Sequence, residues 1–303
     1  MTAKANETEA SSLVLSASAT LAQLCSETLA PALYLVATPI GNLGDITLRA
    51  LSVIYRANRV YCEDTRHSKK LTSAYGIRRK LLSYNDHNAE QVRPEILARL
   101  AAGEAIALIS DAGTPLLADP GYKLVHAAIE EGHRVFPIPG PSALLSALIA
   151  SGMPTDGFYF AGFLPARQGA RRKRLEEIRS IHATLIFFET AKRLETTLAD
   201  VVSVLGDRET ALLRELTKRH EQLVRGPASA IWNALGNDER RGEMVVVLAR
   251  GVEADIATSS LEEALRNELR TSSLKDAAAA VSAMAGVSRK LVYDIALKLR
   301  SRE

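Results

Sequence analysis

Leu33-Tyr34-Leu35-Val36-Ala37-Thr38-Pro39-Ile40-Gly41-Asn42 joins an apolar β-type run to a loop built around Pro39 and Gly41. The same junction recurs along the chain. Residues 105–110 (AIALIS) lead into Asp111-Ala112-Gly113-Thr114-Pro115, with Asp119-Pro120-Gly121 just after. RVFPI at 134–138 leads into Pro139-Gly140-Pro141-Ser142-Ala143, TLIFFE at 184–189 into Thr190-Ala191-Lys192-Arg193, and ALLREL at 211–216 into Thr217-Lys218-Arg219. Loops at the carboxyl ends of strands form the ligand crevice of α/β proteins. Gly lets backbone approach a ligand and Pro stiffens the loop. Repeated junctions of this kind point to an enzyme with one composite small-molecule site.

Working outward, helix signals separate the strands from Leu33 to about Ala150. A helix is predicted after Asp45 or Thr47, with others over 68–75, 90–102, 123–132 and 142–151. Such alternation predicts a largely parallel sheet covered on both faces. Residues 153–157 read as a linker to a second unit with a mixed sheet, and after about Ala254 the signals are helical only. The expected organisation is an extension over 1–30, α/β domains over 31–152 and 153–254, and a helical appendage over 255–303. Residues 1–30 carry Lys4 against Glu7 and Glu9, which is no secretory signal, and read as a poorly ordered extension with at most a short helix over 13–24. Ala277-Ala278-Ala279, Gly286-Val287-Ser288 and Tyr293 suit either a helix-turn-helix or a plain packed appendage.

The 303 residues are 47% apolar, enough for a sizeable core, and length suggests about two domains. A net charge of +3 permits a nucleic-acid partner without demanding one. Cys25 and Cys62 form no disulfide framework or metal spacing, which fits a reducing cytoplasm. No apolar run approaches the ~20 residues of a membrane span. There is no P-loop, no G-x-G-x-x-G after a strand, no nucleophile elbow and no paired His or Cys set for zinc. The usual glycine-rich S-adenosylmethionine loop is missing too.

Taken together, V-A-T-P-I-G-N-L-G-D-I-T-L-R-A-L at 36–51, E-D-T-R-H-S at 63–68 and S-D-A-G-T-P-L-L-A-D-P-G-Y at 110–122 resemble the ribosomal RNA small subunit methyltransferase I family. P-G-P-S-A at 139–143, G-F-L-P at 162–165, R-E-L-T-K at 214–218 and G-E-M-V at 242–245 extend the resemblance in order and spacing. It implies two α/β domains of the tetrapyrrole methylase type, with S-adenosyl-L-methionine held in the cleft between them. It further implies a homodimer that methylates the ribose 2′-oxygen of a decoding-region cytidine in 16S rRNA, within the small ribosomal subunit. A methyltransferase for a tetrapyrrole small molecule and a non-catalytic RNA-binding assembly factor are the competing readings.

Asp111, Ala112, Gly113 and Thr114 are the first expected cofactor contacts, the alternative being a turn that caps a helix. Ser142 and Ala143 offer N–H groups at a helix start, or simply cap it. Pro39 and Gly41 wall the cofactor or the nucleotide, while Phe188 and the Met244 backbone are either adenine neighbours or strand core. Glu63, Asp64, Arg66 and His67 are read as facing substrate with Asn42. Asp64 or His67 would accept or orient a proton and Arg66 would meet phosphate, unless the cluster is a solvated helix cap. Asp86-His87-Asn88 is a second polar cluster. Lys218 would ease charge on a developing oxyanion, or pair at the surface. Arg171, Arg172, Lys173 and Arg174 form the densest basic run and are expected to meet RNA backbone, against a plain solvated face.

Overall fold

The computed structural model describes residues 2–117, 121–236, 239–251, 258–270, 272–285 and 287–300. The Asp119-Pro120 turn, the Gly286 turn and the expected 254/255 boundary lie outside the described residues. The chain divides into two compact units. One comprises Met1–Ala150, Leu213–Gln222 and Glu243–Val245, the other Ser151–Leu212, Leu223–Gly242 and Val246–Glu303. Segments 213–222 and 243–245, expected in the second domain, thus cluster with the first.

The first unit begins with α1 (Thr2–Ser26) and continues β1 (Ala32–Val36), α2 (Leu48–Arg56), β2 (Arg59–Cys62), α3 (Thr65–Ala74), β3 (Leu81–Ser83) and α4 (Ala89–Ala101). It ends with β4 (Ala105–Ile109), α5 (Tyr122–Glu130), β5 (Val135–Ile138) and α6 (Ala143–Ser151). The strand order is β3-β2-β4-β1-β5 and every pairing is parallel. Side chains alternate across a strand. Ala105, Ala107 and Ile109 of β4 therefore pack with Ala50, Leu51, Val53 and Ile54 of α2 on one face. Ile106 and Leu108 pack with Ile96, Leu100 and Leu124 of α4 and α5 on the other. Cover on both faces is why β4 reads as an unbroken apolar run.

This order places the site. From β2 the chain moves outward to β3, whereas from the adjacent β4 it moves the opposite way, past β1 to β5. Loops diverge at such a switch point and leave a crevice at the carboxyl ends. Residues 63–65 and 110–111 stand at that point.

The N-terminal segment is a correction. It forms α1, and its C-terminal end is docked: Leu21 and Leu29 pack on the α2 face of the core, and Ser52 Oγ donates to the Leu24 carbonyl at 2.9 Å. Alanine favours helix, while the docking depends on a surface that exists only once α2 is on the sheet.

The second unit carries β6 (Phe158–Phe163), α7 (Gln168–Ile178), β7 (Thr184–Thr190), α8 (Ala191–Leu205), β8 (Glu209–Arg214), β9 (Gln222–Pro227), α9 (Ala228–Ala234) and β10 (Glu243–Leu248). Their sheet order is β6-β7-β10-β8-β9, with Leu213 and Arg214 of β8 and Glu243–Val245 of β10 counted in the first unit. β6 and β7 are parallel. Glu215 N–H bonds the Glu243 carbonyl and Ala249 N–H the Glu209 carbonyl, so β8 and β10 run antiparallel and the sheet is mixed. Helices α10 (Thr258–Glu268), α11 (Leu274–Ala285) and α12 (Arg289–Arg300) then surround their own core of Leu265, Ala278, Val281, Val292 and Leu299. Ser288 Oγ accepts from Leu291 N–H at 3.3 Å and so caps α12.

Candidate active site at the strand ends

The loops after β1, β4 and β5 are locked together. Thr38 N–H donates to the Gly113 carbonyl at 2.9 Å and Gly113 N–H returns to the Thr38 carbonyl at 2.9 Å. Thr38 Oγ1 donates to the Ser110 carbonyl at 2.9 Å, and Thr114 Oγ1 to the Pro141 carbonyl at 3.3 Å. Gly113 has a φ of +77°, and a Cβ there would press Ile40 Cγ2 at 3.1 Å. At Gly140 a Cβ would meet that of Ala37 at 2.9 Å. These glycines permit loop to lie on loop. The Gly113 N–H is spent on the Thr38 carbonyl. Ala112 and Thr114 N–H have no partner among the described residues. Ser142 is buried and its Oγ accepts from Leu145 N–H at 3.4 Å, a long capping bond, while the first-turn N–H groups of α6 from Ala143 onward have no helical acceptor.

The loops after β2 and β4 meet at the switch point, where Asp64 N–H donates to Asp111 Oδ1 at 3.1 Å. Burial pushes the Asp111 carboxyl above the ordinary aspartate range, against that bond from Asp64. Asp64 itself caps α3: its Oδ1 accepts from Arg66 N–H at 2.8 Å and its Oδ2 pairs with Arg66 Nη2 at 2.8 Å. The Arg66 guanidinium first, then that N–H, holds the carboxyl at about 2. Asp64 thus serves as the cap of α3, the alternative read for this cluster. His67 lies exposed in the first turn of α3, and Asn42 caps the short 3₁₀ turn Leu43–Asp45. Glu63 to Arg66, with Ser83, Asn85, Asp86 and His87, line one depression of about 380 Å³. The two polar clusters are thus one surface, because β2 and β3 are neighbours. Cys62 beneath it is buried, and burial pushes its thiol up to about 11.

Lys218 sits over Gly41, where an added Cβ would collide with Lys218 Cγ. Lys218 Nζ donates to Glu215 Oε1 at 2.9 Å and Glu243 Oε2 at 2.8 Å, and Glu243 N–H donates to Glu215 Oε1 at 2.9 Å. Burial lowers the Lys218 pKa, but the hydrogen bonds it donates to Glu243 and Glu215 outweigh it and the net shift is upward. Two carboxylates around one ammonium leave a net negative clamp, so Lys218 acts as a fixed hydrogen-bond donor rather than a bare cation. One of its three N–H groups remains for another acceptor. Glu215 (φ +50°) and Thr217 (φ +64°) both take left-handed backbone, and the Thr217 hydroxyl is buried without a partner among the described residues. Non-glycine residues held this way concentrate at functional sites. The sequence reading missed the Glu243 arm and this strain. The acid in G-E-M-V was its visible trace, whereas the strain has no signal in residue type.

In the second unit Phe188 makes edge contacts with Phe160 and Phe163, at 4.9 and 5.5 Å between ring centres. Met244, on β10, is buried and counts with the first unit. The basic run is a second correction. Arg171 is 3% exposed and pairs with fully buried Asp200, Nη2 to Oδ2 2.7 Å. Arg172 reaches Asp200 Oδ1 at 2.6 Å, and Arg174 donates to the Tyr159 hydroxyl at 2.6 Å and pairs with Glu177 at 3.1 Å. Only Lys173 of the four is exposed without an ion partner among the described residues. Arg171 stabilises the fold and is not an RNA contact.

Residues 32–231 match the family model described as Tetrapyrrole (Corrin/Porphyrin) Methylases, and residues 255–300 the one described as RsmI C-terminal HTH domain. The chain is similar to the ribosomal RNA small subunit methyltransferase I of Mesorhizobium japonicum, 46% identical over 90% of this chain and 93% of that one. It is 43% identical to the protein of that name from Escherichia coli O157:H7, over 88% and 94%. Among solved structures, a cobalt precorrin-4 methyltransferase of cobalamin biosynthesis has a TM-score of 0.56 at 16% identity, over 72% of this chain and 95% of that one. A diphthine synthase has a TM-score of 0.56 at 16% identity, over 72% and 89%. At such identities these structures speak for the fold alone. The sequence relatives carry the narrower assignment: the chain belongs to the ribosomal RNA small subunit methyltransferase I family, within the tetrapyrrole methylases.

Proposed function

We propose that this protein methylates small-subunit ribosomal RNA with S-adenosylmethionine, at the ribose 2′-oxygen of a decoding-region cytidine in 16S rRNA. The observation that carries the reading is the similarity, over nine-tenths of the chain, to a protein named ribosomal RNA small subunit methyltransferase I. The strand-end residues suit the cofactor. Asp111 uses one oxygen on Asp64 and keeps the other for an ammonium or hydroxyl. Ala112 and Thr114 N–H, with the first turn of α6, can take its carboxylate. When bound, the cofactor supplies an electrophilic methyl group. The protein's own part is to hold the ribose oxygen in line, and positioning of this kind supplies several kcal/mol. Lys218, protonated and braced by Glu215 and Glu243, donates a hydrogen bond to the ribose oxygen, which gains charge as its proton passes to solvent water.

The test is to incubate the protein and tritiated S-adenosylmethionine with small ribosomal subunits lacking the modification, then map the label by nuclease digestion. Label in a 2′-O-methylcytidine is expected, and label confined to a porphyrinoid or absent from RNA overturns the reading.

Asp111→Ala is expected to weaken cofactor binding about 10- to 100-fold, the loss of one charge-assisted hydrogen bond of roughly 1.5–3 kcal/mol. Calorimetric titration reads the affinity and a melting curve shows the fold retained. Because burial raises this carboxyl, its ionised form is reached only above the ordinary aspartate range. Wild-type affinity therefore rises with pH through the raised pKa, and Asp111→Asn is expected to lose that limb. An unchanged profile in the variant refutes the assignment.

A further inference from the structure

We infer that the β3 edge of the first unit is a docking groove for the phosphate backbone of the RNA substrate, an inference that rests on the function proposed above. A groove of about 830 Å³ runs between α3 and β3. Arg66, Lys69, Arg78, Arg79 and Lys80 line it, and no carboxylate does among the described residues. Two of the five cations are committed locally. Arg66 pairs with Asp64, and Arg79 donates to the Tyr55 carbonyl at 2.7 Å and lies over its ring. Lys69, Arg78 and Lys80 are exposed and have no ion partner among the described residues.

The backbone that carries them is fixed. Gly76 closes α3 at φ +68°, Ile77 N–H donates to the Thr72 carbonyl at 2.8 Å, and Ile77 and Thr72 are buried. The groove is open because β3 is the outermost strand of its sheet. It is also continuous with the site. Thr65 and Arg66 line both this groove and the depression formed by Glu63 to Arg66 with Ser83, Asn85, Asp86 and His87, next to the Asp64–Asp111 bond. A groove lined by Lys69, Arg78 and Lys80 that shares Thr65 and Arg66 with the strand-end depression fits an extended polyanion. A ribose seated at the crevice continues as a phosphate chain, and this groove is where that chain is neutralised. Edge cations also prevent strand pairing between molecules, a role that makes no demand on RNA affinity. Arg78-Arg79-Lys80 is shorter than the run at 171–174, and only the folded structure shows which of the two is free.

The experiment compares K69A/R78A/K80A with wild type by titration against purified small ribosomal subunits across a salt series. The expected result is about 10- to 100-fold weaker binding at moderate salt and a salt slope shallower by about two, because each neutralised phosphate contributes about 0.7–0.9. KM for subunits rises with kcat and S-adenosylmethionine affinity retained. The charge-preserving K69R/R78K/K80R keeps wild-type affinity and slope, which a loss caused by misfolding or shape would not. Unchanged affinity and slope in the alanine variant, with wild type binding, overturns the groove alone. Loss of binding to anionic phosphatidylserine vesicles with subunit affinity unchanged overturns it in favour of a membrane. Failure of wild type to bind subunits overturns the groove together with the proposed function.

Discussion

Asp200→Ala is expected to destabilise the second unit by about 3–5 kcal/mol, since removing one partner leaves a buried charge uncompensated. Asp200 is fully buried and accepts from Arg171, Arg172 and Gln168, with Arg171 itself only 3% exposed. At about 2–4 °C per kcal/mol for a unit of this size, the melting temperature should fall by roughly 6–20 °C. Arg171→Met/Asp200→Leu removes both buried charges and should recover most of the loss. Arg172 then turns to water, as it is half exposed already. Burial raises the Asp200 carboxyl, but donors from Arg172, Arg171 and Gln168 outweigh it and the net shift is downward. Its stabilisation is therefore present above the ordinary aspartate pKa and lost as pH falls toward the lowered one. Calorimetry between neutral and acid pH should show wild type and variant converging as pH falls. A cost below about 1 kcal/mol at neutral pH would return the basic run to the surface role first read for it.

Gly41→Ala is expected to lower the methylation rate about 100-fold, the scale on which a misplacement near 1 Å acts. The new methyl collides with Lys218 Cγ and comes within 3.0 Å of Thr217 Oγ1. Neither atom moves freely. Cγ lies near the backbone, Nζ is held by two glutamates, and Thr217 already occupies left-handed backbone. Overpacking of this kind costs about 1–3 kcal/mol. Gly41→Ala/Lys218→Ala relieves the collision and should regain stability without regaining activity. The cycle of single and double variants separates the two effects. Equal activity in Gly41→Ala and wild type would remove Lys218 from the site.

The parallel sheet of the first unit was legible because its period is local: β1 and β4 are apolar throughout, and Gly- or Pro-containing loops follow β1, β4 and β5. The loops at Thr38, Asp111 and Ser142 were legible for the same reason. A capping aspartate and a catalytic one look alike in sequence, and only the folded contacts show that Asp64 caps α3 and pairs with Arg66. Arg171 was misread because charge density along the chain says nothing of burial, and its partner Asp200 comes from the next helix. The clamp on Lys218 was hidden because Glu215 and Glu243 are brought together by strand pairing.

Residue order alone determined the alternation of strands and helices, the glycine and proline loops that can lie against one another, and the motif set that marks the family. These depend on neighbours a few residues apart. Tertiary structure decided which charges are used up and which stay free. It buried Arg171 on Asp200, turned Asp64 into a cap, and set two carboxylates on Lys218. It left Lys69, Arg78 and Lys80 exposed at an open sheet edge. A charge's effect depends on burial and on partners distant in the chain, and folding supplies both.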